Sequence, residues 1–204
     1  MKVILVNGSP NKNGCTNRAL EEIKMQLSKE GVESQIFWLG TKVQGCIACM
    51  KCIQTGKCVF DDKVAEFLEL AKNADGFVFG SPVYYGGPSG SITSFMDRVF
   101  FSGNRFMTDK PASTVVSCRR GGASEAFARL NMYYTINNMP VVSSQYWNQV
   151  HGFTPDDVEQ DAEGLQTMRS LAVNMAWLLK CIEVGKENGV SMPVRENQVQ
   201  TNFI

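Results

Sequence analysis

The sequence predicts a parallel α/β domain with helices on both faces of its sheet, and three observations carry that expectation. Short apolar runs alternate with amphipathic helical patterns along the chain, an order that implies parallel strands joined by right-handed crossovers. Three of the runs, Val3-Ile4-Leu5-Val6, Phe77-Val78-Phe79 and Thr114-Val115-Val116, are almost continuously apolar or β-branched, as strands covered on both faces require. The 204 residues, 44% hydrophobic and 20% charged, suit one domain spanning 1–204 with a full core and no repeat, low-complexity stretch or linker.

The strand candidates are Lys2–Asn7, Glu33–Leu39, Gly76–Gly80, Ala112–Ser117 and Val141–Tyr146. The first helix is expected from Thr16 to Lys29, with Leu20, Ile23 and Leu27 on one face. A second follows Asp61-Asp62 and turns Val64, Phe67, Leu68 and Ala71 inward. A third starts near Pro88, proline being a favoured first helical residue, and buries Ile92, Phe95, Met96 and Val99. A fourth spans Ala123–Asn138, and the last spans Gly164–Lys186 with Leu165, Met168, Ala172, Met175, Leu179 and Ile182 in steps of three and four. That stripe is read as a core-facing surface rather than a cofactor or partner face. The tail after Gly189, ending Asn202-Phe203-Ile204, is expected to be irregular, either fraying or packing on a neighbouring subunit.

Lys+Arg and Asp+Glu both number 20, the formal net charge is zero, and no block of like charge occurs. This balance argues against a nucleic-acid or anionic-membrane partner. The apolar run at Val3–Val6 is too short for a signal peptide, and no segment has membrane-spanning length, so a cytoplasmic protein is expected. In a reducing compartment the seven cysteines are not a disulfide framework, and closely spaced ones are read as metal-binding or redox-active.

Three loops carry candidate chemistry. After the first strand, Gly8-Ser9-Pro10-Asn11-Lys12-Asn13-Gly14-Cys15-Thr16-Asn17 leads into a helix, where backbone N–H groups and the helix dipole favour an anion. Gly8 and Gly14 permit close approach, while Ser9, Thr16 and Asn17 add neutral donors. Two familiar phosphate motifs do not fit. Five residues separate Gly8 from Gly14 with Cys15 where a P-loop needs Lys, and Ser9-Pro10 breaks a G-x-G-x-x-G fingerprint. A plain polar turn capped by Thr16 remains the alternative. After the third strand, Tyr84 and Tyr85 in a Gly/Pro-rich loop offer a flat surface for a ring system, against the alternative of ordinary turn aromatics. After the fourth, Arg119-Arg120-Gly121-Gly122 combines positive charge with close backbone approach, although solvated arginines would look the same.

The cysteines Cys46, Cys49 and Cys52 stand at C-x-x-C-x-x-C, and Cys58 follows after five residues. Thiolates at this spacing are the usual ligands of an iron–sulfur cluster. Zinc is the weaker metal reading, and free thiols stay open. Cys118 and Cys181 are read as buried small hydrophobes, and the lone His151 is left outside the site.

The segment VNGSPNKNGCTNRAL resembles the phosphate loop of the NAD(P)H-dependent FMN reductase and multimeric flavodoxin-like families, and SPVYYGGPSGSITSFMDR is similar to their flavin-lining segment. This resemblance implies a flavodoxin-like three-layer sandwich whose five-stranded parallel sheet has the order 2-1-3-4-5, with the ligand at the switch point between strands 1 and 3. It implies FMN as cofactor, with its phosphate on Ser9, Asn11, Cys15, Thr16 and Asn17. Position 15 is usually Asn or Ser, so Cys15 is expected to contribute its N–H. The ring would meet Pro82, Val83, Tyr84, Tyr85 and Gly86, with Arg119, Arg120, Gly121 and Gly122 beside it. The cysteine spacing resembles the iron–sulfur flavoprotein branch, which implies a [4Fe–4S] cluster on Cys46, Cys49, Cys52 and Cys58.

The implied activity is FMN-dependent oxidoreduction, with NAD(P)H as donor, a small-molecule electron acceptor such as a flavin or quinone, and a homodimer or homotetramer as assembly. Two alternatives stand beside it: an electron carrier reduced by ferredoxin, and a flavin-binding redox sensor switched by the cysteines. No general acid, base or nucleophile is assigned.

Overall fold

The computed structural model describes residues 1–201. The strands are β1 (Lys2–Asn7), β2 (Glu33–Trp38), β3 (Gly76–Tyr84), β4 (Gly87–Pro88), β5 (Ala112–Cys118) and β6 (Gln149–His151). The helices are α1 (Cys15–Lys29), α2 (Lys51–Thr55), α3 (Lys63–Lys72), α4 (Gly90–Gly103), α5 (Ala123–Ile136), α6 (Pro155–Gln160) and α7 (Ala162–Glu187). The main sheet has the order β2-β1-β3-β5-β6 and is parallel throughout, while the short β4 folds back antiparallel on the end of β3. This is the expected 2-1-3-4-5 arrangement once the return strand β4 is set aside.

Alternation along β1 divides the core into two faces. Ile4 and Val6 join Phe77 and Phe79 against α3, α4 and α5. On that side the Phe67 ring lies within 6.0 Å of the rings of Phe37, Phe77, Phe79 and Phe95, in the tilted and edge-on geometries that aromatic quadrupoles favour. Val3 and Leu5 join Val78 and Val115 against Leu20, Ile23 and Leu27 of α1 and Met168, Leu171 and Met175 of α7. The expected stripe on the last helix is therefore core-facing, except that Ile182 is only partly covered.

Three expectations need correction. The fifth strand is not Val141–Tyr146: that segment makes one isolated bridge, Val141 to Ala112, and the ladder resumes at Gln149 opposite Val116. Eight residue steps on this edge (141 to 149) thus span four steps on β5 (112 to 116). The reason is local hydrogen bonding. Ser144 Oγ donates to the Tyr146 carbonyl at 2.6 Å and closes a turn. The Ser113 hydroxyl donates to the Val142 carbonyl at 2.8 Å and accepts from Asn148 Nδ2 at 2.9 Å, joining the two pieces. The third helix begins at Gly90 rather than Pro88. Ser89 is its N-cap, accepting from the Ile92 N–H, and Pro88 instead pairs with Val83 in the β3–β4 hairpin. Cys118 is buried as expected, but Cys181 is exposed on the outer face of α7.

Residues 190–201 carry no helix or strand, in keeping with an irregular tail, and Asn202, Phe203 and Ile204 lie outside the described residues. Among the described residues no helix is long and apolar enough to cross a membrane.

A buried charge network closes the α1–α7 side. Glu22, 7% exposed, is held by Arg18 at 2.8 Å and by Arg169 of α7, and Arg18 also reaches Glu159 of α6. Burial pushes the Glu22 pKa up, but the two arginine bonds outweigh it and leave the carboxyl below its usual value.

Two outcomes follow for stability. Phe67→Ala removes the ring at the centre of the aromatic face and should cost about 3–5 kcal/mol of unfolding free energy in denaturant titration. Because the folded-state pKa of Glu22 is depressed, its stabilisation is complete above the unfolded carboxylate value and is lost as pH falls through the folded one. Glu22→Gln should therefore lower stability at neutral pH, and the variant should lose less than the wild type on acidification to about pH 4.

Candidate functional site

The carboxyl ends of β1, β3 and β5 lie side by side, and the loops leaving them are locked together by close backbone approach. The Gly8 N–H donates to the Gly80 carbonyl at 2.9 Å. A Cβ at Gly8 would stand 2.7 Å from Ile92 Cβ and 2.8 Å from the Gly80 oxygen, so no other residue fits there without displacing backbone. Gly122, at φ +87°, touches the next loop: its Cβ would meet Gly86 Cα at 2.7 Å and Val83 Cγ1 at 2.9 Å. Ser89 ties the first two loops, since its Oγ donates to the Gly8 carbonyl at 3.0 Å and its N–H donates to Ser81 Oγ at 3.0 Å.

Within the first loop the organiser is Asn7, fully buried at the end of β1. Its Oδ1 accepts from the Ser9 N–H at 3.0 Å, while Nδ2 donates to the Lys12 carbonyl at 3.1 Å and to Asn17 Oδ1 at 3.3 Å. Ser9 Oγ accepts from the Asn11 N–H, Asn11 Oδ1 accepts from the Asn13 N–H, and Trp38 Nε1 donates to the Ser9 carbonyl at 2.8 Å.

Gly14 is the N-cap of α1 and provides no side-chain cap. The first helical bond runs from the Arg18 N–H to the Gly14 carbonyl, so the N–H groups of Cys15, Thr16 and Asn17 form the helix's positive end. Thr16, expected as a hydroxyl donor, is buried with its Oγ1 2.7 Å from Ser117 Oγ. Its hydroxyl braces the first loop against β5, leaving the backbone N–H for a ligand. The Cys15 thiol points to the Gly152 carbonyl at 3.6 Å, and burial pushes its pKa up.

In the second loop Pro82 and Val83 belong to β3, and Val83 packs against Gly122 and the small cluster of Val116, Cys118, Ala123 and Ala126. Val83 therefore supports the loop from below. Tyr85 and Gly86, both at positive φ, form the hairpin turn, with Tyr85 fully exposed and Tyr84 half exposed. Arg119, Arg120 and Gly121 are exposed on the adjacent loop. The structure thus brings the fourteen expected flavin-site residues to one sheet edge. Sequence reasoning missed Asn7, Trp38, Ser81, Ser89 and Ser117, which position them. An asparagine closing a strand before Gly-Ser-Pro was the one available signal. The glycine-locked loops and uncapped helix end suit a phosphorylated flat ring system such as FMN.

The four clustered cysteines lie elsewhere, on the segment between β2 and α3, with Cys52 inside α2. Cys46, Cys49, Cys52 and Cys58 line one cavity with Ile47, Met50, Phe60, Arg98 and Phe101. All are free thiols, and among the described residues no three His, Cys, Asp or Glu side chains stand close enough to hold a metal ion. The loop is held by Arg98 of α4, a side chain only 1% exposed, which forks onto Asp62 at 2.7 and 2.9 Å and donates to Cys58 Sγ and the Gln44 carbonyl. Burial opposes the Arg98 charge, but the bonds to Asp62 and Cys58 outweigh it and raise its pKa. Ala48 and Met50, flanking Cys49, adopt positive φ at a cost of roughly 1–2 kcal/mol each. The four thiols match an iron–sulfur cluster in donor chemistry and in lining one apolar cavity, although they do not converge on a single point.

Comparison with known proteins agrees with this geometry. A family model described as NADPH-dependent FMN reductase matches residues 1–154. An iron-sulfur flavoprotein of Methanocaldococcus jannaschii is 33% identical over 192 residues, covering 90% of this chain and 100% of that protein. The crystal structure of RosB with bound 8-demethyl-8-formylriboflavin-5'-phosphate superposes with a TM-score of 0.71 at 14% identity, over 99% of this chain and 92% of RosB. A flavodoxin from the domain Archaea superposes with a TM-score of 0.60 at 20% identity, over 88% and 99%. With the family match spanning 154 of 204 residues and the sheet order found here, this chain belongs to the NADPH-dependent FMN reductase family and has a flavodoxin-like fold.

Proposed function

We propose that this protein binds FMN across the three loops at the carboxyl edge of the sheet and is an FMN-dependent oxidoreductase. In this reading it takes electrons from NAD(P)H and passes them to a small-molecule acceptor such as a flavin or quinone. The observation that carries the proposal is the meeting of an uncapped helix N-terminus with two glycine-locked loops at the topological switch point. Bound there, FMN supplies reversible hydride and electron chemistry.

The chain's own part is position and field. The N–H groups of Cys15, Thr16 and Asn17 would hold the phosphate, with the α1 dipole behind them. Tyr84 and Tyr85 give the ring a flat boundary. Arg119 and Arg120, exposed on the loop after β5, would supply positive charge to the negative charge a reduced ring carries. Burial raises the thiol pKa of both Cys15 and Cys118, which works against thiolate formation at either.

A second reading is favoured by the cysteine loop, with four thiols around one cavity and a buried guanidinium on Cys58, and by the name of the Methanocaldococcus relative. In it Cys46, Cys49, Cys52 and Cys58 ligate a [4Fe–4S] cluster beside FMN, ferredoxin is the donor, and the assembly is a homodimer or homotetramer in the cytoplasm.

Protein purified without oxygen is expected to show flavin absorption bands and to oxidise NADPH or NADH only with FMN bound. Retained FMN without reaction towards either nicotinamide would overturn the donor assignment. Iron and acid-labile sulfide on the same sample, with rapid reduction by ferredoxin, would establish the second reading. Failure to bind added FMN defeats both. The loop lock gives a sharper outcome: Gly122→Val, which drives a side chain into Gly86 and Val83, should weaken FMN binding at least tenfold in fluorescence titration, about 1.4 kcal/mol.

A further inference from the structure

Among the described residues Arg98 is the one fully buried cation of the aromatic face, and the flavin site makes no use of it. Arginine carries five N–H donors, and here all five are engaged. Nη1 donates to the Gln44 carbonyl at 3.1 Å and Asp62 Oδ2 at 2.7 Å, and Nη2 donates to Asp62 Oδ1 at 2.9 Å. The remaining two are aimed at one sulfur: Nε reaches Cys58 Sγ at 3.3 Å and Nη2 reaches it at 3.2 Å.

A protonated thiol is a weak acceptor, so two buried charged donors on it return little of what their desolvation costs. A sulfur carrying ligand negative charge returns much more, since hydrogen bonds to ionised acceptors are roughly twice as strong as neutral ones. The guanidinium also lies 4.9 Å from the centre of the Phe60 ring, which closes it off from water. Asp62 alone accounts for a structural anchor. It does not account for the pair of donors turned to Cys58.

We propose that Arg98 is a positioning residue for the cysteine site. Its two N–H groups fix Cys58 Sγ as a ligand and raise the reduction potential of the iron–sulfur cluster held there. The inference rests on the cluster reading above. Adding one electron increases the negative charge shared by the cluster and its sulfurs, and N–H donors on a ligand sulfur stabilise that reduced form.

The test is a mediated redox titration of anaerobically purified full-length protein, with iron, acid-labile sulfide and bound FMN measured on each sample. Arg98→Lys keeps the charge and loses the fork, and should lower the one-electron equilibrium constant at least tenfold, about 59 mV. Asp62→Asn keeps both N–H···S bonds while removing a negative charge, and should leave the potential unchanged or raised. If Arg98→Lys does not fold, the double variant Arg98→Met with Asp62→Asn leaves no buried charge unpaired and should show the same lowering. Loss of iron but not FMN from Arg98→Lys, with iron retained in Asp62→Asn, supports the assignment equally. An unshifted potential in iron-loaded Arg98→Lys, or an equal lowering in Asp62→Asn, overturns the role of Arg98 alone. Wild-type protein without iron and sulfide overturns the cluster reading, and the proposal with it.

Discussion

The arrangement of the molecule turns on how closely two strands end. β1 and β3 finish side by side, and the Gly8 N–H meets the Gly80 carbonyl at 2.9 Å. Space on both sides of that bond is already taken: a Cβ at Gly80 would lie 2.9 Å from Thr16 Cγ2, and one at Gly8 would lie 2.7 Å from Ile92 Cβ. The start of α1 and the first turn of α4 are therefore held against the same bond from opposite faces of the sheet. Thr16 and Ser89 then carry the constraint outward, one to Ser117 on β5 and the other to the Gly8 carbonyl. A ligand site made by three separate loops gains its precision from this packed origin, because backbone placed by neighbouring backbone has little freedom left to lose on binding.

Helix α4 links that edge to the cysteine loop. Ser89 caps it beside the phosphate loop, and Arg98 grips Cys58 and Asp62 nine residues later, roughly 13–14 Å along the axis at 1.5 Å per residue. Between them Ile92, Phe95 and Met96 are fully buried in the aromatic face. The helix acts as a strut whose length is set by the fold. The two candidate sites keep their spacing even though both consist mainly of loops.

Much of this was legible in the sequence where short-range physics decides. β1 and α1 fall within a residue of their expected limits and α3 begins directly after Asp61-Asp62, because continuous apolar runs, 3.6-residue stripes and the Asp62 cap are local signals. The cysteine spacing and the Gly-Ser-Pro loop were visible for the same reason. The misses are long-range. Val141–Tyr146 has the composition of a strand, but Ser113, some thirty residues earlier in the chain, fixes where pairing stops and resumes. Arg98 was visible only as the last residue of the segment SPVYYGGPSGSITSFMDR, since its partners Gln44, Cys58 and Asp62 lie 36 to 54 residues away. Thr16 was expected to point its hydroxyl at a ligand, and only the neighbouring strand reveals that Ser117 takes it.

The detour between Val142 and Gln149 also bears on how the molecule meets its neighbours. An uninterrupted final strand would offer a straight row of free N–H and C=O groups on which a strand from another molecule could add. Here the last ladder is only three residues long, its approach is bent away by the Ser144 turn, and Pro140 removes a donor at the far end. The lost pairing is the cost of a blunted sheet margin, one that resists growth into open-ended β stacks.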